Sequence, residues 1–152
     1  MKFLITYFSR SGHNKKIAND FASSASCDIY EIIDKKPRGY IMSGFGALHK
    51  KKTEINPIEQ DLKKYDFIIL ASPFWAGGVP PATRTFIEQY LQKIKRFGFL
   101  SVSGGGEKNT SYLDTLEKEY TLDISPRLLV SDTDFVNKNY QGKLNEFIEL
   151  IK

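Results

Sequence analysis

A short polar loop near the amino terminus carries the residue types that bind an anion. It reads Ser9-Arg10-Ser11-Gly12-His13-Asn14 and contains hydroxyl, amide and cationic side chains but no acidic one. The apolar run Phe3–Phe8 before it predicts a buried strand, and the spacing of Ile17 and Phe21 after it predicts an amphipathic helix. The loop therefore opens into a helix N-terminus, where backbone N–H groups and the positive end of the helix dipole attract an anion. We predict that it binds a phosphate group.

A second loop carries an aromatic side chain and two glycines. It follows the uninterrupted apolar run Phe67–Ala71 and reads Pro73-Phe74-Trp75-Ala76-Gly77-Gly78. Trp75 is the single tryptophan of the chain, and a planar aromatic ligand can stack on it. Gly77 and Gly78 allow the backbone to approach such a ligand closely. In the structural alternative, Trp75 covers the core and the glycines only turn the chain.

A third loop contains three consecutive glycines. It reads Ser103-Gly104-Gly105-Gly106 and follows a predicted strand, Phe97–Val102. Consecutive glycines cost backbone entropy unless close approach or a positive φ is required. This loop is a candidate for the second wall of a slot whose first wall holds Trp75, and a flexible surface loop is the alternative.

Several better-known sites are excluded because their residues are absent. No Gly-x-Gly-x-x-Gly follows the first strand, and no Gly-x-x-x-x-Gly-Lys-Ser/Thr motif occurs anywhere. The first loop lacks both the acidic residues of a receiver domain and the cysteine of a small tyrosine phosphatase. Cys27 lies elsewhere and is expected to be an inert, partly buried thiol. With His13 and His49 as the two histidines, we expect no metal site, and we assign no catalytic side chain.

The elements that must position these loops alternate between strand and helix along the whole chain. The five predicted strands are Phe3–Phe8, Ile29–Ile33, Phe67–Ala71, Phe97–Val102 and Arg127–Val130. Helices are predicted after the first strand, around Ile41–Lys51, after Pro80-Pro81 with an apolar face that includes Phe86 and Ile94, over Leu113–Tyr120 and over Leu144–Ile151. This alternation predicts an α/β fold, a doubly wound parallel sheet with helices on both faces in three layers. In such a sheet, ligands bind beyond the carboxyl ends of the strands where strand order reverses, so the three loops should meet there.

Composition fits one globular domain over residues 1–152. The chain is 41% hydrophobic and 26% charged, and it contains one cysteine, which suits a reducing compartment. No apolar segment approaches the ~20 residues that span a bilayer, so we expect a cytoplasmic protein without a transmembrane segment. The net charge is +4 and the isoelectric point is near 9.0. No nucleic-acid-binding motif accompanies the basic residues, and nucleic acid is not expected as a partner.

The three loops together resemble those of the flavodoxin family, and the resemblance covers essentially the whole chain. It implies the flavodoxin-like strand order 2-1-3-4-5 and FMN as cofactor. In that family the first loop wraps the FMN phosphate, while the second and third enclose the isoalloxazine. The implied FMN-binding residues are Ser9, Arg10, Ser11, Gly12, His13, Asn14, Pro73, Phe74, Trp75, Ala76, Gly77, Gly78, Ser103, Gly104, Gly105 and Gly106.

Two features depart from the family pattern. The first loop usually ends in asparagine and threonine, which His13 and Asn14 replace here. The Asn14 side chain is expected to donate to phosphate or to cap the helix, and His13 either adds a positive charge or faces solvent. The second departure is charge, because electron-carrying flavodoxins are typically acidic and this chain is basic.

The resemblance implies electron transfer through bound FMN, with a redox partner protein or a small acceptor such as a quinone. An NAD(P)H-dependent quinone or flavin oxidoreductase is the alternative, since the basic segment Arg38–Lys52 could bind an anionic dinucleotide. A flavin-free regulatory module on the same fold is a second alternative, against which the glycine loops and Trp75 argue.

Overall fold

The computed structural model describes residues 1–36, 52–91, 94 and 96–152. The helix predicted around Ile41–Lys51 lies outside these residues. Within them, five parallel strands form one sheet in the order β2-β1-β3-β4-β5, as predicted. The strands are β1 (Phe3–Tyr7), β2 (Asp28–Glu31), β3 (Phe67–Ala71), β4 (Arg96–Ser103) and β5 (Asp123–Ser131).

The bounds of β1 and β3 agree closely with those predicted from their apolar runs. The bounds of the other strands differ from the prediction. β2 begins at Asp28 and ends at Glu31, two residues before the predicted end. β5 begins at Asp123, four residues before the predicted start, because an edge strand tolerates the polar residues and Pro126 that hid its beginning. Pro126 lies where the register between β4 and β5 shifts, between Phe97 and Phe99.

Within the part of the chain that the structure describes, five α-helices connect or follow the strands. They are α1 (His13–Ala25), α2 (Pro81–Phe86), α3 (Thr110–Tyr120), α4 (Asp132–Val136) and α5 (Gln141–Ile151). Pro81 occupies the first turn of α2, where its missing N–H leaves no hydrogen bond unmade. The helix predicted after Pro80-Pro81 is thus present as α2, and a π-helical turn, Ile87–Leu91, continues it.

Alternating side chains of the central strands divide the core between the two faces of the sheet. Ile68 and Leu70 of β3 pack with the apolar residues of α2 and α3, such as Phe86 and Leu113. Ile69 lies on the other face, in the cluster formed with α1 and α5. This is the three-layer arrangement that the uninterrupted apolar run of β3 predicts, since a strand covered on both faces has no polar side.

The strand register sets where the loops emerge. Tyr7 at the end of β1 pairs with Ala71 at the end of β3, and Ala71 pairs with Leu100 of β4. β4 continues to Ser103, which pairs with Ser131 at the end of β5. The loops after β1, β3, β4 and β5 therefore leave the same edge of the sheet. Among the described residues, no helix is both long enough and apolar enough to cross a bilayer.

Candidate functional site

The three predicted loops meet around one cavity at the carboxyl edge of the sheet. The cavity has a volume of about 310 Å³. It lies at the reversal of strand order between β1 and β3, as the switch-point rule requires. Its lining residues come from the ends of four strands and are Arg10, Ser11, Pro73, Phe74, Trp75, Val102, Ser103, Gly104 and Asp132.

The first loop, which we predict to bind a phosphate, leads directly into the N-terminus of α1. Gly12 has φ 94° and precedes the helix, whose first intrahelical hydrogen bond runs from the Lys16 N–H to the Gly12 carbonyl. The Gly12 N–H donates to Ser9 Oγ (3.1 Å), and the His13 N–H donates to Ser11 Oγ (3.4 Å). Each serine hydroxyl keeps its own proton to donate to a ligand. A Cβ on Gly12 would meet no atom within 4 Å, so space is open beside these donors.

The Asn14 side chain binds β4 rather than capping α1. It is buried, and both the nitrogen and the oxygen of its amide group bind the backbone of Val102 in β4. Asn14 Nδ2 donates to the Val102 carbonyl and the Val102 N–H donates to Asn14 Oδ1, each at 2.9 Å. The amide oxygen and one amide N–H are thus both engaged by Val102, and this pair of bonds joins the start of α1 to β4. The backbone N–H of Asn14 stays in the first turn, where a helix leaves its N–H groups without intrahelical acceptors.

His13 lies beside an acidic residue that the sequence patterns did not identify. Its Nδ1 is 3.1 Å from Asp132 Oδ1, and its ring centroid is 4.8 Å from that of Phe135. Asp132 directly follows β5 and lines the cavity. A search of the loop after every strand, the fifth included, would have marked it, because all carboxyl ends share this edge.

The second loop is a tight turn that presents Trp75. Trp75 and Gly78 exchange two backbone hydrogen bonds of 2.8 and 3.0 Å, and the two residues between them have positive φ, 47° at Ala76 and 82° at Gly77. This is the conformation of a type I′ turn, which favours glycine. The half-buried Trp75 ring packs edge-on against Phe8, with centroids 5.6 Å apart.

Ala76, Gly77 and Gly78 line a different cavity from Trp75. That second cavity, of about 270 Å³, lies between the turn and α3, with Tyr112 on its wall. A Cβ on Gly77 would lie 3.2 Å from the Tyr112 hydroxyl oxygen. Phe74 lines both cavities, so the two adjoin at this residue.

The three glycines of the third loop differ in their surroundings. Gly104 lines the cavity that contains Trp75, and a Cβ on Gly104 would lie 3.8 Å from Asp132 Oδ2. A Cβ on Gly105 would lie 2.5 Å from Asn109 Oδ1, and Gly106 has φ 52°. Close packing therefore accounts for the glycine at position 105, and backbone conformation for the one at 106. Of this loop, Ser103 and Gly104 line the cavity.

Arg10 lies against the aromatic wall. Its Cζ is 4.6 Å from the centroid of the Trp75 ring, within the range of a cation–π contact. The side chain therefore faces the part of the cavity suited to a flat ring, although its sequence neighbours form the anion site.

The donor set fits a ligand with an anionic group and a flat aromatic ring. Helix N-terminal N–H groups and serine hydroxyls suit the anion, and Trp75 suits the ring. FMN, implied by the resemblance, has both parts. Among the described residues, no group of three or more His, Cys, Asp or Glu could hold a metal ion. Cys27 lies outside the site, and burial raises the pKa of its thiol to about 11, as expected for an inert cysteine.

Comparisons with known proteins agree with the fold. A flavoprotein from Lactobacillus acidophilus NCFM, crystallised in complex with FMN, is 23% identical with a TM-score of 0.71, covering 90% of this chain and 97% of that one. A protein from Bacteroides eggerthii DSM 20697 assigned as a flavoprotein is 24% identical with a TM-score of 0.76, covering 96% and 97%. Oxidised flavodoxin 1 from Bacillus cereus is 16% identical with a TM-score of 0.57, covering 98% of each chain.

The sequence itself matches a family model across almost its whole length. The model is described as flavodoxin, and it matches residues 2–150. The matched span includes every strand of the sheet and all three loops around the cavity. The chain therefore belongs to the flavodoxin family.

Proposed function

We propose that this protein binds FMN in the cavity at the carboxyl edge of the sheet and transfers electrons through it. The observation that carries the proposal is one cavity of about 310 Å³ that is lined both by Ser11, from the loop that leads into α1, and by the indole ring of Trp75. FMN is the cofactor of the family, and one similar structure contains it. The single cysteine is compatible with a reducing compartment such as the cytoplasm.

The phosphate is held by the first loop. The Ser9 and Ser11 hydroxyls and the first-turn N–H groups of α1 donate to it, and the positive end of the helix dipole adds to the attraction. Because Asn14 binds Val102, it contributes through its backbone N–H rather than its side chain. His13 lies beside Asp132, which holds its ring at the edge of the site.

The isoalloxazine is held by the aromatic and glycine walls. Trp75, Ser103 and Gly104 line the cavity, where the indole would contact a face of the ring and the two β4 residues would bound the opposite wall. In the Trp75–Gly78 turn, the paired carbonyls belong to Trp75 and Gly78, so those of Ala76 and Gly77 remain outside the pairing and can accept from a ring N–H. Bound FMN supplies the redox chemistry, an exchange of one or two electrons.

A binding experiment tests the assignment of the site. Because Trp75 is the single tryptophan, its fluorescence reports directly on a ring that stacks there, and we expect FMN to quench it. Ser11→Ala should weaken FMN by about tenfold or more, since it removes a hydrogen bond to a charged group. Riboflavin, which lacks the phosphate, should bind the variant and the parent alike.

The control is Ser23→Ala, which changes an exposed serine further along α1. It should leave both affinities unchanged. Absence of FMN-dependent quenching in the unsubstituted protein would exclude the proposed function and favour a flavin-free module. Equal losses of FMN and riboflavin in Ser11→Ala would show that the first loop does not hold the phosphate.

A second experiment separates a carrier from an NAD(P)H-dependent oxidoreductase. The FMN-loaded protein is mixed with NADPH or NADH in a stopped-flow instrument while flavin absorbance is followed. We expect no reduction on the scale of seconds, because no nicotinamide-binding motif is recognisable in the sequence. Rapid reduction would instead establish the enzyme, with a quinone or similar acceptor as its second substrate.

A further inference from the structure

Arg10 belongs to the phosphate loop by sequence and to the aromatic wall by position. Its guanidinium carbon is 4.6 Å from the centroid of the Trp75 ring, and both residues line the same cavity. The hydroxyl groups of Ser9 and Ser11 instead contact the N–H groups of Gly12 and His13 at the start of α1, the part of the loop that we propose for the phosphate. A flat ring that contacts Trp75 from this cavity therefore also comes within reach of Arg10.

We propose that Arg10 acts on the isoalloxazine rather than on the phosphate, and that its charge raises the reduction potential of bound FMN. This inference rests on the proposed function, because it requires FMN in the cavity. Arginine suits the position, since its planar guanidinium stacks on aromatic faces and stays charged at every physiological pH.

The physical reason is the charge that the ring gains. Reduction by two electrons, accompanied by one proton, converts the neutral isoalloxazine into a monoanion. A fixed positive charge a few ångströms away stabilises the anion and leaves the neutral oxidised ring almost unaffected. The protein then binds reduced FMN more tightly relative to oxidised FMN, which raises the potential.

The other described charge that lines this cavity is Asp132, and it opposes the effect of Arg10. Its carboxylate lies 3.1 Å from His13 Nδ1, on the side of the anion site, whereas Arg10 contacts the indole directly. On its other side, Arg10 lines a neighbouring cavity with Glu31 and Asp34. Among the described residues that line the two cavities, Arg10 therefore supplies a positive charge beside Trp75, and Asp132, Glu31 and Asp34 supply negative charges.

The test measures the potential and the affinity of the same variants. Arg10→Gln should lower the preference for reduced over oxidised FMN by about tenfold, equivalent to a fall of ~30 mV for a two-electron couple. Its affinities for oxidised FMN and riboflavin should change by the same factor. Arg10→Lys keeps the charge and should recover most of the potential.

Arg96→Gln is the matched control, because it makes the same change at the exposed start of β4, at the opposite edge of the sheet. It should leave the potential unchanged. The inference is overturned if Arg10→Gln has the parent's potential, or if it loses far more affinity for FMN than for riboflavin. Failure of the unsubstituted protein to bind FMN would instead contradict the proposed function itself.

Discussion

At the scale of single residues, the site depends on side chains that hold backbone as much as on those that face the cavity. Asn14 is the clearest case, because both hydrogen bonds of its amide go to Val102. Those two residues are 88 positions apart in the chain, so the bonds join the start of α1 to β4. No pattern in the sequence marks such a long-range pairing.

Asn14→Ala should therefore lower the free energy of unfolding by about 2–3 kcal/mol, because it leaves the buried N–H and carbonyl of Val102 without partners. Asn19→Ala is the control: its amide donates to the Lys15 carbonyl on the exposed side of the same helix. That change should cost less than about 1 kcal/mol. Urea unfolding of both flavin-free variants provides the comparison, and equal losses would contradict the role assigned to Asn14.

At the scale of elements, the turn between Trp75 and Gly78 combines strain with position. Ala76 holds φ 47°, a conformation that costs a residue with a Cβ about 1–2 kcal/mol. Gly77 holds φ 82° beside the Tyr112 hydroxyl. The turn thus contributes Trp75 to one cavity and Ala76 and Gly77 to the neighbouring one, which α3 bounds.

Gly77→Ala should destabilise the flavin-free protein by about 1–2 kcal/mol, since it adds an unfavourable φ and a close contact with Tyr112. Gly142→Ala is the control, and it should change the stability in the opposite direction. Gly142 lies in α5, has no positive φ and would place its Cβ in open space, so alanine should stabilise by about 0.5–1 kcal/mol. Thermal unfolding of the pair measures both, and an unaffected Gly77→Ala would mean that the turn readily changes conformation.

Sequence patterns predicted the bounds of the most apolar strands and helices most accurately. β3 was predicted with its observed bounds because all five of its residues are apolar, and α5 because its apolar residues recur at helical spacing. The start of β5 was missed because Asp123, Ser125 and Pro126 are not typical of a strand. The π-helical turn after α2 was missed because it shares the apolar spacing of an ordinary helix.

The site was predicted in the same uneven way. Loop composition identified the three chain segments that meet at the cavity, since anion sites and aromatic walls need particular residue types. It did not separate Gly104, which lines the cavity, from Gly105 and Gly106, which pack against Asn109 and Ser131. That distinction depends on neighbours that only the folded chain brings together, as does the contribution of Asp132.

At the scale of the whole molecule, the net charge of +4 determines which charge we expect on a redox partner. A positive protein attracts anionic redox partners and repels cationic ones, and salt screens both effects. Arg10 adds to the positive field at the cavity itself. The partners of this protein should therefore differ in charge from those of an acidic electron carrier.

Reoxidation of the reduced, FMN-loaded protein by two small oxidants tests this expectation. The rate with ferricyanide, an anion, should fall as ionic strength rises from about 10 mM to about 500 mM, because screening weakens the attraction. The rate with hexaammineruthenium(III), a cation, should rise over the same range. Salt dependences of the reverse sign would show that the local field at the flavin is negative despite the overall charge.

The link between Asn14 and Val102 also has a consequence for the length of ligand that the cavity selects. It fixes the distance from the first turn of α1 to the end of β4, where Ser103 and Gly104 begin the wall of the slot. The spacing between the anion site and the ring site is therefore built into the folded chain before any cofactor arrives. We expect a flavin phosphate whose chain between ring and phosphate is one carbon shorter or longer than ribityl to place either its ring or its phosphate in the corresponding site, but not both at once.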